Sequence, residues 1–329
     1  MSTLANEVSA ISHNVAPLML QAEQIRALIP LIDVTKILRK TFLSLSREMS
    51  TQPPQTLALF ADNGGDFITY SGAINELDVF GAKLSPYLMS TGKPLITAWT
   101  YLMSQRTGQP LLCCDSAELT IERTAGVTAL AVNELAKFDS DTLCIIGSGK
   151  LALAHLKHVL GLRKWTSVRI FSPALAGDIA RQKTFKVIYA QISFAHSIEQ
   201  AVDGAHVIML CTSSGTPVLK MSAIKPGMLV TSISTNVANA HEVPPELLGI
   251  SDVYCDYKDT APYGAGEMKI AIEQGIWSKD KLSGDLPSLM AKSCSLPTYD
   301  KPIFFRSIGL GLEDVAIAYS VWELKQKQA

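Results

Sequence analysis

The segment LCIIGSGKLALAHLKHVLG, residues 143–161, joins a short apolar run to a helical pattern through two glycines. Gly147, Ser148, Gly149, Lys150, Leu151 and Ala152 give the spacing G-x-G-x-x-A. In such a turn the first glycine permits a tight bend and the second lets backbone approach a pyrophosphate. The small third residue lets the helix lie close to its strand, and the phosphate rests on the helix N-terminus. The spacing alone is common. Here a strand-like run precedes it, a helical run follows, and another strand-like run, SVRIFS, comes next. That context identifies a dinucleotide-binding turn, with Gly147, Ser148, Gly149, Leu151 and Ala152 as its residues. An ATP-type phosphate loop is excluded, because Lys150 is followed by Leu151 rather than Ser or Thr, and Cys144 stands where the first glycine would be.

The end of the second strand discriminates between dinucleotides. A carboxylate there binds the ribose 2′-hydroxyl and repels a 2′-phosphate. In RIFSP the position falls at Ser172 or Pro173, with no carboxylate. Ser172 could donate to a phosphate, and Arg181 or Lys183 could approach it, so NADPH is the expected cofactor and NADH the alternative. Thr212 and Ser213, at the end of HVIMLCT, are also assigned to the cofactor. Other chemistry is poorly supported. His155 and His158 are three apart on the predicted helix with no acidic third ligand nearby, and read as helix-surface residues rather than a metal site. There is no C-x-x-C and no G-x-S-x-G, which removes zinc-knuckle, redox-pair and serine-hydrolase signals.

These residues need elements to hold them. TLCIIG, SVRIFS, HVIMLCT and MLVTSIS are nearly continuous in hydrophobicity, as strands covered on both faces must be. Between the first two, Ala152, Leu156, Val159 and Leu160 recur at helical spacing. Strand and helix alternating in this way predict a Rossmann-type doubly wound parallel sheet. The first 120 residues differ: TLALFA, DFITYS and PLITAWTYL read as antiparallel strands, with TGQP, 107–110, as a hairpin turn. ERTAGVTALAVNELAKF is a helix leading into the sheet region, and IFFRSIGLGLEDVAIAYSVWELK starts strand-like and continues as a long helix. At 329 residues, two domains are the default. The net charge of −1 and the lack of any large Lys/Arg block exclude a nucleic-acid footprint. No apolar run is long enough to span a membrane. The first twenty residues carry Glu7 without a basic start and apolar core, and six scattered cysteines fit a reduced protein, so a cytoplasmic location is expected.

Four segments together resemble the ornithine cyclodeaminase/mu-crystallin family: VFGAKLSPYL, IERTAGVTALA, the glycine turn, and FFRSIGLGLED. They are spread over nearly the whole chain in the family's order. The resemblance implies that residues 1–125 and 303–329 form an α+β substrate-binding and dimerisation domain. Residues 126–302 would form the Rossmann domain, with the active site in the cleft between. It implies a homodimer, and it implies roles. Lys83, on a strand whose alternation could expose it, would bind a substrate carboxylate or steer protons. Arg123 could grip the same carboxylate bidentately, or simply pair with Glu118 or Glu122. Thr97 would lie near the nicotinamide, and Ser307 and Gly309 would approach the cofactor. Glu313 and Asp314 read as the start of the last helix rather than as chemistry.

Two departures from the family pattern carry information. Aligning VTSISTNVANAHEVPPELL places Asn236 where cyclodeaminases have an aspartate that handles protons as ammonia leaves. Asn cannot titrate, which favours reduction over deamination. Nearby His241 is a candidate acid. In QPPQTL, Gln55 falls where relatives have a carboxylate-binding arginine. The reading is therefore an NAD(P)H-dependent ketimine reductase, with Lys83 and Arg123 catalytic and Gln55 and Asn236 also touching a cyclic imine carboxylate. Δ1-Pyrroline-2-carboxylate, giving L-proline, is the first substrate, and Δ1-piperideine-2-carboxylate, giving L-pipecolate, the second. The alternatives are an ornithine cyclodeaminase, an alanine-dehydrogenase-like enzyme, and a non-catalytic NADPH-binding protein.

Overall fold

The computed structural model describes residues 16–89, 95–234 and 239–328. They fall into two compact units. The first takes residues up to 33, 47–120 and 310 onward; the second takes 34–46 and 121–309.

The first unit is an eight-stranded sheet. Its strands are β1 (Leu18–Leu20), β2 (Ser50–Thr51), β3 (Thr56–Leu59), β4 (Gly65–Ile74), β5 (Val79–Leu88), β6 (Leu95–Ile96), β7 (Trp99–Ser104) and β8 (Pro110–Asp115). The order is β1-β8-β7-β5-β4-β2, with β3 also on β4 and β6 also on β5. All pairs are antiparallel except β1 with β8. The three predicted strand regions and the hairpin turn at 107–110 are all present. Strand alternation then sorts β5: Val79, Gly81 and Lys83 turn to one face, Phe80 and Leu84 to the other. The C-terminal helix (Gly311–Gln328) packs on β4, β5 and β7. Its first turn touches β4 backbone to backbone. A Cβ at Gly72 would lie 2.8 Å from the Leu312 Cα, and one at Gly311 would collide with the Ser71 backbone. Only glycine admits that approach.

The second unit carries a parallel sheet of β9 (Thr142–Ile146), β10 (Ser167–Phe171), β11 (Ser193–Phe194), β12 (Val207–Leu210), β13 (Leu229–Ser232), β14 (Asp252–Cys255), β15 (Leu282–Asp285) and β16 (Ile303–Arg306). The order is β11-β10-β9-β12-β13-β16-β14-β15. The chain winds outward from β9 in both directions, so the switch point lies between β9 and β12. The four strands read from the sequence are here, and their side chains form the core with Leu247, Met268 and Trp277.

One expected boundary moves. The family resemblance places IFFR with the C-terminal segment, from residue 303. In the structure β16 lies between β13 and β14, so the division falls at 309/310 rather than 302/303. All four β16 residues are buried. The run abuts a long helix in the sequence, and only pairing with distant strands assigns it to the sheet. The other boundary shifts too. Helix α1 (Ala22–Leu28) stays in the first unit, helix α2 (Val34–Ser46) joins the second, and helix α3 (Ala117–Leu135) is divided at 120/121. The α2 side chains Val34 and Leu38 sit over Gly126, where a Cβ would lie 2.8 Å from each. Among the described residues, no helix is long and apolar enough to cross a membrane.

Candidate functional site

In the second unit, the predicted turn links β9 to helix α4 (Lys150–Val159). Gly147 has φ +129°, and a Cβ there would collide with the Cys211 carbonyl oxygen beyond β12. This glycine is required by the fold itself. Gly149 is different: a Cβ there would meet nothing within 4 Å, so packing does not demand glycine. The open space lies where backbone would approach a pyrophosphate. Ala152 is fully buried, as close contact between helix and sheet requires.

A cavity of about 730 Å³ opens at the C-terminal ends of β9, β10 and β12. It is lined by the glycine turn with Lys150 and Leu151, by Ser172 and Pro173, and by Thr212 and Ser213. These expected cofactor residues therefore gather on one cavity, at the switch point where doubly wound sheets bind ligands. The residues fit a dinucleotide. Beyond β10, Ser172 Oγ accepts from Ala174 N and lies 3.1 Å from Ser148 Oγ. Arg181, on helix α5 (Ile179–Ile188), reaches Ser148 Oγ at 3.4 Å. Lys183, two residues further along α5, points to another side of the helix.

His155 corrects an expectation. It is not on the helix surface but fully buried. Its Nδ1–H donates to the Leu151 carbonyl at 2.7 Å, and the Thr128 hydroxyl lies 3.0 Å from Nε2. Burial pulls its pKa down to about 4, so the ring is neutral. The neighbouring α3 supplies Thr128, which a helical wheel of α4 alone does not show. His158 is half-buried instead, and pairs with Glu122 at 2.8 Å. Among the described residues, no three His, Cys, Asp or Glu side chains cluster to hold a metal.

Two buried carboxylates, Glu242 and Asp256, escaped the sequence reading, and the first bonds to Thr212 of the cavity lining. Glu242 Oε1 accepts from Thr212 N and Oγ1 at 3.0 and 2.7 Å. Its Oε2 accepts from Ser232 Oγ, Ile233 N and Ser234 N at 2.8, 3.0 and 3.1 Å. One carboxylate thus ties together the loops that follow β12 and β13. The Thr212 hydroxyl is committed to it. Asn236 lies outside the described residues. His241 is partly exposed, its Nδ1 2.7 Å from the Asn239 carbonyl.

Asp256 does the same after β16. Its Oδ2 accepts from Ser307 Oγ, Ile308 N and Gly309 N at 3.1, 2.6 and 2.9 Å, and Oδ1 from Tyr257 N. Burial pushes this carboxyl up, and the donors pull it back. Ser307 is buried on Asp256, and neither it nor Gly309 lines the cradle cavity. Gly309, at φ +80°, adjoins the guanidinium of Arg123, whose Nη1 would lie 2.3 Å from a Cβ there. Arg123 is 5% exposed, and Glu122, one of its expected alternative partners, is engaged by His158. Arg306, wholly buried, pairs with Glu267 at 2.7 Å and donates to the Ser234 and Ser307 carbonyls. Burial pushes the Glu267 carboxyl up, and Arg306 draws it down.

In the first unit Lys83 is enclosed. Its Nζ lies 2.8 Å from Asp314 Oδ2, 3.4 Å from Thr120 Oγ1 and 4.3 Å from the centre of the Tyr70 ring. The alternation that was expected to expose Lys83 does place it on one face, but the C-terminal helix covers that face. Asp314, read only as part of a helix start, is its ion partner. No local pattern links the two, since they come from opposite ends of the chain. Gln55 Oε1 is buried without a hydrogen-bond partner among the described residues. Thr97 is partly exposed between β6 and β7, and its backbone N–H donates to the Pro86 carbonyl.

Comparison with known proteins adds to this geometry. The sequence profile of the ornithine cyclodeaminase/mu-crystallin family matches residues 15–328. An NAD(P)H-dependent anabolic L-arginine dehydrogenase, DauB, from Pseudomonas aeruginosa is 48% identical over 94% of this chain and 98% of its own. A Δ1-pyrroline-2-carboxylate reductase from Bacillus thuringiensis is 22% identical over 93% of this chain and 96% of its own. Among solved structures, the Δ1-pyrroline-2-carboxylate reductase of Thermococcus litoralis, in complex with NADH and L-proline, superposes with a TM-score of 0.87 at 22% identity, over 94% of this chain and 98% of that one.

Proposed function

The chain belongs to the ornithine cyclodeaminase/mu-crystallin family, and from that premise we propose that it is an NAD(P)H-dependent oxidoreductase that reduces a C=N bond beside a carboxylate. Its first substrate in this reading is the linear imine that ammonia forms with a 2-oxo acid bearing a guanidinium group, and its product is L-arginine. The observation that carries this choice is the 48% identity to an L-arginine dehydrogenase along almost the whole of both chains. The narrower expectation of a cyclic ketimine, with L-proline or L-pipecolate as product, is the second reading. It is supported by more distant relatives, at 22% identity.

Both readings share one reaction. NAD(P)H, when bound, supplies a hydride to the imine carbon; a proton goes to nitrogen, and C=N becomes CH–NH. The chain's residues orient the substrate and manage charge. Arg123 and Lys83 are assigned to the substrate carboxylate, the first as a planar fork, the second as a point charge held in position by Asp314. Fixing the carboxylate aligns the adjacent carbon for attack. An amide at Asn236 supplies no base for deamination, which supports reduction over cyclodeamination.

A homodimer is part of the proposal. Met19, Phe80, Leu84 and Tyr101 stand exposed on the sheet face opposite Lys83, an apolar surface of the kind that a second copy covers. A cytoplasmic setting is also proposed, in keeping with six free cysteines.

The test is consumption of NADPH and of NADH by the purified protein with 2-oxo-5-guanidinopentanoate plus ammonium, alongside Δ1-pyrroline-2-carboxylate. Turnover of the first with L-arginine formed supports the proposal. Turnover of the cyclic imine alone selects the second reading, and turnover of neither, with ammonia released from L-ornithine, overturns both.

A further inference from the structure

Resting on the dinucleotide reading, we propose that Asp178 and Arg181 form a two-way reader of the adenosine ribose, admitting NADPH through Arg181 and NADH through Asp178. The adenosine ribose of a doubly wound fold sits past the second strand, where a carboxylate selects a free 2′-hydroxyl and an arginine accepts a 2′-phosphate. This chain has neither at the strand end, where Ser172 and Pro173 stand. It has both one element later, at the start of α5.

The arrangement is specific. Arg181 Nη1 is 3.4 Å from Ser148 Oγ, which is 3.1 Å from Ser172 Oγ, and both serines line the cradle cavity. On its other side, Arg181 Nε is 3.3 Å from Asp178 Oδ2. A guanidinium and two hydroxyls therefore converge on the edge of the cavity, a donor set matched to a phosphate. The Arg181 and Asp178 side chains are 44% and 36% exposed, so their ion pair is solvent-screened and readily opened.

Two bound states follow. With a 2′-phosphate, the Arg181 fork and the serine hydroxyls donate to its oxygens, and Arg181 shields the phosphate from Asp178. With a 2′-hydroxyl, Asp178 accepts from it while Arg181 remains on the carboxylate. A lone carboxylate would repel NADPH, and a lone arginine would offer the hydroxyl no charged acceptor. The pair supports both.

Calorimetric titration of the full chain with 2′,5′-ADP and with 5′-ADP tests this without turnover. Arg181→Ala is expected to weaken 2′,5′-ADP by roughly tenfold or more and 5′-ADP by less than about threefold. Asp178 also caps α5, its Oδ1 accepting from Arg181 N at 2.9 Å. Asp178→Asn retains that cap, since Asn caps as well as Asp. It is expected to leave 2′,5′-ADP as tight or tighter while weakening 5′-ADP. Equal weakening of both ligands by Arg181→Ala, or no change in either, overturns the proposal. Wild-type protein that binds 5′-ADP but gains nothing from the 2′-phosphate overturns it and leaves the dinucleotide reading standing. Wild-type protein that binds neither ligand overturns both.

Discussion

Lys83 and Asp314 meet at 2.8 Å with about 1% of each side chain exposed, one on a central strand and the other in the first turn of the C-terminal helix. Removing two such charges from water is expensive, and their mutual attraction with good geometry offsets the cost. The pair therefore couples a buried ammonium on β5 to the docking of the C-terminal helix.

Replacing either partner alone removes a buried counter-charge at 2.8 Å. Lys83→Met and Asp314→Asn are each expected to destabilise the protein by about 3–5 kcal/mol. The double substitution is expected to be less destabilised than the sum of the two, by about 1–3 kcal/mol of coupling. Chemical denaturation of the four proteins in the cycle measures this. Additive losses would show that the pair contributes nothing as a pair. Imine reduction should be lost in Lys83→Met and in the double variant alike.

The two glycines of the turn separate folding from binding. Gly147→Ala forces a Cβ into the Cys211 carbonyl at φ +129° and is expected to lower stability by about 2 kcal/mol or more. Gly149→Ala meets nothing at φ −80° and is expected to leave stability within about 1 kcal/mol. Yet it should weaken dinucleotide binding, because its methyl occupies the space a pyrophosphate needs. Thermal unfolding and nucleotide titration on the two variants give the comparison, and unchanged binding in Gly149→Ala would remove the pyrophosphate from this position.

His155 predicts a specific acid response. Its folded pKa of about 4 lies below the usual histidine value near 6.5, because burial disfavours the charged ring. The unfolded chain therefore binds the proton first. The stability this neutral ring confers is complete above pH ~6.5 and is lost as pH falls through ~4, on the order of 3 kcal/mol in all. Denaturant midpoints measured across that range should decline in the native protein. The decline should be shallower in His155→Gln, whose neutral amide has no such titration; identical slopes would assign the acid sensitivity elsewhere.

The exposed sheet face predicts the oligomer. Phe80→Arg and Tyr101→Arg place charge on the apolar surface without touching the Lys83 side. Each is expected to shift a dimer toward monomer in light scattering while the circular dichroism of the fold persists. A wild-type protein that is monomeric at micromolar concentration would contradict the proposed homodimer.

Much of this protein was legible locally. Four strands of the parallel sheet announced themselves by their hydrophobic runs, three of them nearly wholly buried. The turn at 147–152 was readable because the requirements of a phosphate turn, small residues at fixed spacing between strand and helix, are met by neighbours in sequence. Ser172, Pro173, Thr212 and Ser213 followed from the same logic, each standing at a strand's carboxyl end, and the cavity they share is the outcome.

What the sequence by itself determined is the doubly wound half and the glycine turn at its edge, since hydrophobic period and turn chemistry act over a few residues. The tertiary structure alone decided which sheet received Ile303–Arg306, that His155 is a buried neutral ring, and that Asp314 answers Lys83. It also revealed Glu242 and Asp256 as the carboxylates that gather five and four donors around the loops following β12, β13 and β16. A strand between two others, a buried ring and a buried charge are all settled by partners far away in the chain. Desolvation makes those partners obligatory, but no spacing in the sequence records where they are.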